Sequence, residues 1–333
     1  MGDLRVEEIA TPGAPAPGEI IVSVEAAGIC GSDIHNFKTG MWISRVPSTP
    51  GHEFCGVVSA VGAGVSRLRA GDRVVADSRV YCGSCDMCRA GNRNLCRSIG
   101  YVGEVIDGGF APWAKIGDEL VYLLPDQATD PAVAAMTEPL SVALHARHRL
   151  APLLHEPVLV TGAGPIGAMV AIVLAHYGFG PLLILDRNIA RADLVARLTG
   201  ATVIGLDRVT DFACGQAVET TGSAKVLDGI AAAMTPGGRI ASVGIFHGSD
   251  GFDLNRIVER EIELVGCAAF RDEMPEALGL LAPLSPALKA LASTPIPLAG
   301  VPAAYASHCA GNAASIKTII LPGLAGCRTI AQH

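Results

Sequence analysis

Four cysteines dominate the chemistry that this sequence can do. Cys82, Cys85, Cys88 and Cys96 stand in a C-x2-C-x2-C-x7-C spacing within one loop. Four thiolates on so short a loop can wrap one tetrahedral Zn²⁺ and leave it no open position, which makes the site structural. Unrelated buried or disulfide-bonded cysteines fit poorly with a reducing compartment, and an iron-sulfur cluster would stand without a redox partner nearby in sequence. A second set is dispersed: Cys30 in Gly28-Ile29-Cys30-Gly31-Ser32-Asp33-Ile34-His35, His52 and Glu53 in Gly51-His52-Glu53, and Glu138 in Thr137-Glu138-Pro139-Leu140. One sulfur, one imidazole and one carboxylate, with water in the fourth place, is the donor set of an open, catalytic zinc. Spacing alone does not prove it, because a single Cys or His is more often a packed core residue than a ligand.

The third signal is Val158-Leu159-Val160-Thr161-Gly162-Ala163-Gly164-Pro165-Ile166-Gly167, an apolar strand followed by G-x-G-x-x-G at the start of a helix. Asp186 closes the next apolar run, Leu182 to Leu185. Strand, glycine turn, helix, strand and acid are the context that a dinucleotide fingerprint requires. Gly162, Gly164 and Gly167, with Pro165 and Ile166 between them, allow the backbone to approach a pyrophosphate at the helix N-terminus, where free N–H groups and the helix dipole favour an anion. Asp186 can accept hydrogen bonds from ribose hydroxyls and would repel a 2′-phosphate, so NAD is expected over NADP. Arg187 beside it is the residue through which a 2′-phosphate could be accommodated.

The elements that must hold these groups fall into two styles. Gly18 to Gly28 alternates and ends at glycine, which predicts a strand running into a loop; Gly51 to Val61 and Asp72 to Ala76 look alike, with turn residues between them. The first ~125 residues therefore read as β-rich. From Asp130-Pro131 to His148 the chain is rich in Ala, Leu and Met and predicts helix, with Pro131 in the first turn. Short Val/Ile/Leu runs then alternate with helical segments as far as Gly244, predicting βαβ units and a parallel sheet. Between Phe270 and Tyr305 six prolines, Pro275, Pro283, Pro286, Pro295, Pro297 and Pro302, interrupt the pattern.

Composition bounds the reading. The chain has 333 residues, enough for two domains. Half the residues are hydrophobic and 17% charged, so a large core is available. A formal charge of −7 with no basic block excludes a nucleic-acid partner. The stretch Pro157–Leu185 lacks Asp, Glu, Lys and Arg for 29 residues. It contains the whole strand, turn, helix and strand, and its glycines and Pro165 break any single membrane helix. The N-terminus carries no apolar run of a secretory signal, so a cytoplasmic protein with reduced thiols is expected. Cys55, Cys214, Cys267, Cys309 and Cys327 read as packed or surface thiols, and His145 and His148, three apart on a helix, as structural.

Taken in order, these segments resemble the zinc-dependent medium-chain dehydrogenase/reductase family. Within it the chain looks most like the polyol dehydrogenase branch that includes sorbitol, xylitol and L-idonate 5-dehydrogenases. The resemblance covers about residues 3 to 320, including Thr137 to Ala146 and Arg260 to Gly266. It implies an α/β protein with a doubly wound, Rossmann parallel sheet domain, residues 140–270. The rest, 1–139 and 271–333, would be a mostly β, GroES-like catalytic domain with a structural zinc lobe.

By the same resemblance the chain would hold NAD and two zinc ions and form a homotetramer. Cys30 and His52 match zinc ligands, and Glu53 and Glu138 match two acidic positions, either of which would reach the metal directly or through its water. Ser32 matches the hydroxyl that takes the substrate proton, His35 the group that passes it outward, and Asp33 the partner that orients a ligand histidine. Phe270 and Arg271 match positions that contact distal hydroxyls of the substrate. The expected reaction is reversible oxidation of a secondary alcohol of a polyol or sugar acid to a ketone, with a Lewis-acidic zinc polarising the alcohol. Butanediol or L-threonine dehydrogenase is the alternative, and a non-catalytic zinc- and NAD-binding protein is the alternative class. Two departures stand out: an edge strand usual before Gly2 looks absent, and Leu321 to His333 runs past the usual final strand.

Overall fold

A computed structural model describes residues 2–246, 248, 251–311, 313, 315–324 and 329–332. The chain forms two compact units: Met1–Glu138 with Met274–His333, and Pro139–Glu273.

The first unit is built on antiparallel strands. Glu19–Gly28 is its centre, pairing with Glu53–Val61, Trp113–Gly117 and Ile319–Ile320. Arg73–Ala76 and Val121–Leu123 extend the sheet beyond Glu53–Val61. Ladder shifts at Ile21/Val22 and Val24/Ala26 mark bulges, which bend the strand and let the sheet curl around one core. That core gathers Ile20, Val22, Phe54, Val58, Val74 and Phe110, each nearly or wholly inaccessible. A small ribbon, Arg79–Val80 with Gly100–Tyr101, flanks the loop that carries the four cysteines.

Four features differ from the expectations. Gly31–Thr39, expected as loop, is a helix. The helical stretch from Asp130 divides into Pro131–Ala134, with the Asp130 carboxylate accepting the Ala132 N–H at 2.9 Å, and Thr137–Leu150. Met274–Leu291 is one helix despite Pro283 and Pro286. Met274, Ala277, Leu281, Leu284, Leu288 and Leu291 are buried along it, at the three-and-four spacing of one helical face. Fully burying a large apolar side chain contributes about 1.5–3 kcal/mol, and five of these six are Met or Leu, which outweighs the ~3 kcal/mol that each interior proline costs. The tail beyond Leu321 also acquires a place, since Thr329–Gln332 pairs antiparallel with Leu4–Glu7. Cys327 lies outside the described residues.

The second unit is a parallel sheet of six strands. In spatial order they are Thr202–Val203, Leu182–Leu185, Val158–Thr161, Cys214–Glu219, Met234–Ser242 and Glu263–Gly266, or 3-2-1-4-5-6 by order in this unit. This is the dinucleotide-binding order, whose switch point lies between the first and fourth strands. Val158–Thr161 and Leu182–Leu185 are buried at every position, and so is Gly167 to Leu174 of the Pro165–His176 helix. The 29 uncharged residues are thus one covered βαβ unit. No helix among the described residues is long and apolar enough to cross a membrane.

Candidate active site

Cys30 ends the Glu19–Gly28 strand's exit and caps the Gly31–Thr39 helix. Its thiol accepts from the N–H of Asp33, while Asp33 Oδ2 accepts the Cys30 N–H at 2.8 Å. This reciprocal cap fixes the direction of the thiol. His52 and Glu53 enter on the start of the neighbouring strand, Glu53–Val61. Donor atoms of Cys30, His52 and Glu53 all lie within 4.8 Å of one another, with His52 and Glu53 buried. The other oxygen of Asp33 stands 3.6 Å from His52 Nδ1, and Ser32 Oγ lies 3.5 Å from His52 Nε2. Asp33 therefore holds the cysteine and the histidine together.

Glu138 does not belong to that compact group. It begins the Thr137–Leu150 helix, 6% exposed, and its Oε1 accepts the Ser78 hydroxyl at 2.6 Å. His35 is buried with its ring 4.6 Å from that of Trp42, and the helix is anchored by Asn36 Nδ2 donating to Glu104 Oε1 at 2.8 Å.

Burial pushes the Asp33 carboxyl up, and burial with the nearby Glu53 pushes Glu138 up to about 7. Burial opposes the charge on His52, yet Asp33 and Cys30 beside it raise it well above the ordinary imidazole value. Lys317, wholly inaccessible, donates to Ile29 O at 2.9 Å and to Glu53. A sulfur, an imidazole and three carboxyl groups gather here with one lysine. That donor set suits Zn²⁺.

The four-cysteine lobe is equally compact, its donor atoms also within 4.8 Å. Cys96 Sγ is 3.5 Å from Cys82 Sγ, and the Cys85 N–H donates to Cys82 Sγ at 3.4 Å. Hydrogen bonds from the Ser84 amide and hydroxyl, with the Cys85 amide, bring the Cys82 thiol down to about 5. Amide N–H groups aimed at sulfur favour the thiolate that a metal needs.

In the second unit Gly164 precedes the Pro165–His176 helix without a side-chain cap. Asp186 Oδ2 accepts the Ala163 N–H and Oδ1 the Asn188 N–H, both at 2.6 Å. The acid thus pins the glycine turn to the start of the next helix.

Residues 16–126 match the family model of the alcohol dehydrogenase GroES-like domain, and residues 165–283 that of zinc-binding dehydrogenases. An L-threonine 3-dehydrogenase of Deinococcus deserti is 36% identical over 76% of this chain and 77% of its own. The chain belongs to the zinc-dependent medium-chain dehydrogenase family. A sorbitol dehydrogenase of Bacillus subtilis is 28% identical over 84% of this chain and 83% of its own. Among solved structures, a 2R,3R-butanediol dehydrogenase from Bacillus subtilis superposes with TM-score 0.87 at 26% identity over 97% of both chains. An alcohol dehydrogenase from E. coli CFT073, complexed with cofactor NADH, gives 0.84 at 26% over 94% of both.

As a dehydrogenase of this family the chain is an oxidoreductase that uses zinc and a nicotinamide dinucleotide, and the non-catalytic reading falls away. Of the pair expected to meet the substrate, Phe270 is fully buried while the Arg271 side chain is half-exposed. Arg187 continues the chain past Asp186, next to the Asn188 that caps the following helix. Cys55 and Cys214 are buried, and burial pushes the Cys55 thiol up to about 12. Lys317 and Ser78, which contact Glu53 and Glu138, are members of this candidate site that the sequence reading did not select. A lone lysine in the apolar run Ile316 to Ile320 was the available signal for the first; Ser78 offered none.

Proposed function

We propose that this dehydrogenase oxidises a secondary alcohol flanked by polar groups to the ketone, reversibly, with NAD as hydride acceptor. The observation that carries it is the buried group of Cys30, His52 and Glu53 with the Ser32 hydroxyl against His52. Cys30, His52 and Glu53 would hold zinc directly, with Glu138 beside them; the ion supplies Lewis-acid polarisation of the alcohol. Cys82, Cys85, Cys88 and Cys96 would hold a second, structural ion. Ser32 takes the hydroxyl proton and His35 passes it outward. Asp33 holds His52 in one tautomer. Gly162 to Gly167 and Asp186 would hold the dinucleotide, whose nicotinamide accepts the hydride. The pairing of Asp186 with the turn favours NAD over NADP, because a 2′-phosphate would face a carboxylate.

Two substrate classes fit. The 36% identity to an L-threonine 3-dehydrogenase favours a 2-amino-3-hydroxy acid. The sorbitol dehydrogenase relative supports the polyol or sugar-acid reading, with Arg271 proposed to contact distal polar groups. The test is NAD reduction across L-threonine, sorbitol, xylitol, L-idonate and butanediol, repeated with NADP. Turnover of a secondary alcohol with NAD is expected, and activity confined to primary alcohols would overturn the reading. Assembly as a homo-oligomer is supported by Glu263–Gly266, an exposed edge strand of the parallel sheet that offers a template for pairing with a second copy.

A further inference from the structure

The glycine turn of the second unit is held from both sides. On one side Gly162 N–H donates to Leu185 O at 2.7 Å and Ala163 N–H to Asp186 at 2.6 Å. On the other stands Thr220, the first residue after the Cys214–Glu219 strand. Its hydroxyl donates to Thr161 O at 2.7 Å and lies 3.4 Å from Gly162 O, and its N–H donates to Thr161 O at 3.1 Å. A Cβ built on Gly162 would come within 2.6 Å of Thr220 Oγ1, and one on Gly167 within 2.8 Å. The room left by Gly162 is therefore filled by this hydroxyl, and that left by Gly167 by the Gly162 carbonyl with the hydroxyl behind it.

Glu219 holds Thr220 in place. It is wholly inaccessible, and its Oε1 accepts the Thr221 N–H at 2.6 Å, the Gly222 N–H at 3.0 Å and the Thr221 hydroxyl. Its backbone carbonyl accepts the N–H groups of Val243 and Gly244 at 2.8 and 3.2 Å. The loops that leave the first, fourth and fifth strands of the sheet are thus joined through Glu219 and Thr220. They sit at the carboxyl ends of the strands, on the side where open α/β sheets bind ligands.

We propose that Thr220, on the loop that Glu219 ties down, is a positioning residue for the pyrophosphate of the dinucleotide: its hydroxyl fixes the carbonyls of Thr161 and Gly162, whose own peptide N–H groups are spent on Leu185 and Asp186, and so holds the turn such that the amides at the start of the Pro165–His176 helix face the anion. The inference rests on the cofactor assignment. An anion site made of backbone N–H groups depends on the orientation of its peptide planes. The hydroxyl sets that orientation from behind, touching no ligand itself. Valine at this position would put a methyl against two carbonyl oxygens, whereas serine would keep the hydroxyl.

The test is titration of the zinc-loaded protein with NADH, ADP-ribose and AMP, by fluorescence and calorimetry, for wild type, Thr220→Val, Thr220→Ala and Thr220→Ser. Thr220→Val and Thr220→Ala should weaken NADH and ADP-ribose about five- to tenfold, the range that one lost hydrogen bond gives. AMP, which lacks a pyrophosphate, should change less than about twofold, and Thr220→Ser should match wild type. Thr220→Ala adds no bulk and carries the test if the valine variant fails to fold. A folded Thr220→Ala protein with unchanged ADP-ribose affinity, or with equal losses for ADP-ribose and AMP, overturns the inference alone. Wild type binding neither NADH nor ADP-ribose overturns the cofactor assignment as well.

Discussion

Replacing Glu273 with alanine should cost the second unit a large share of its stability. The carboxylate is 6% exposed and receives four N–H groups: His145 Nδ1 at 2.9 Å, His148 Nδ1 at 3.2 Å, and the amides of Arg271 and Asp272 at 2.5 and 2.9 Å. Burial pushes this carboxyl up, but hydrogen bonds from the two histidines more than reverse it and hold it well below the usual range. A hydrogen bond to a charged group contributes about 1.5–3 kcal/mol, so uncovering several buried donors at once costs about 3–5 kcal/mol. At roughly 2–4 °C per kcal/mol the midpoint of thermal unfolding should fall by roughly 6–20 °C. Because the folded carboxyl titrates below the unfolded one, its contribution is complete above the unfolded value of ~4.3 and is lost as pH falls through the folded value. The difference between wild type and Glu273→Ala should be present at neutral pH and shrink below about pH 4.3. Calorimetry of both proteins across that range checks it, together with hydrogen exchange at Arg271 and Asp272, which should quicken in the variant. A midpoint shift under about 2 °C, or a difference that persists unchanged into acid, would refute the reasoning.

Cys30→Ser should lower the zinc content from about two ions per chain to about one and abolish turnover while NADH binding survives; elemental analysis that still finds both ions would remove Cys30 from the ligand set. Asp186→Ala frees the Ala163 amide and removes the acceptor for ribose hydroxyls, so NADH affinity should fall about tenfold or more while NADPH affinity falls less. An unchanged NADH-to-NADPH ratio in fluorescence titrations would show that Asp186 does not select the cofactor.

What the sequence disclosed was local and periodic. The cysteine lobe lies within one loop, and the glycine turn sits between two apolar strands, so spacing and pattern report them directly. The Gly31–Thr39 helix escaped because the residues it buries, Asp33, His35 and Asn36, are polar, and Ile34 and Phe37, which pack on the core, are too few to mark an apolar stripe. Met274–Leu291 escaped for the opposite reason, since its two prolines masked a stripe strong enough to override them. Residues joined only by folding were beyond reach. Ser78 meets Glu138 across 60 positions and His145 meets Glu273 across 128, and neither pair leaves a mark in local composition.

One more such pairing has a consequence for synthesis. Glu53 is one of the first site residues to leave the ribosome, and Lys317, its buried counter-charge, follows 264 positions later. Between them the whole Pro139–Glu273 unit is made, a continuous run able to close its own sheet as it emerges. The first unit waits meanwhile, without its Ile319–Ile320 strand and with an unneutralised carboxylate at its centre. The dinucleotide unit is thus placed to fold first although it is encoded second. A nascent chain stopped shortly before Lys317 would carry every proposed metal ligand yet lack the cation that lets Glu53 stay buried.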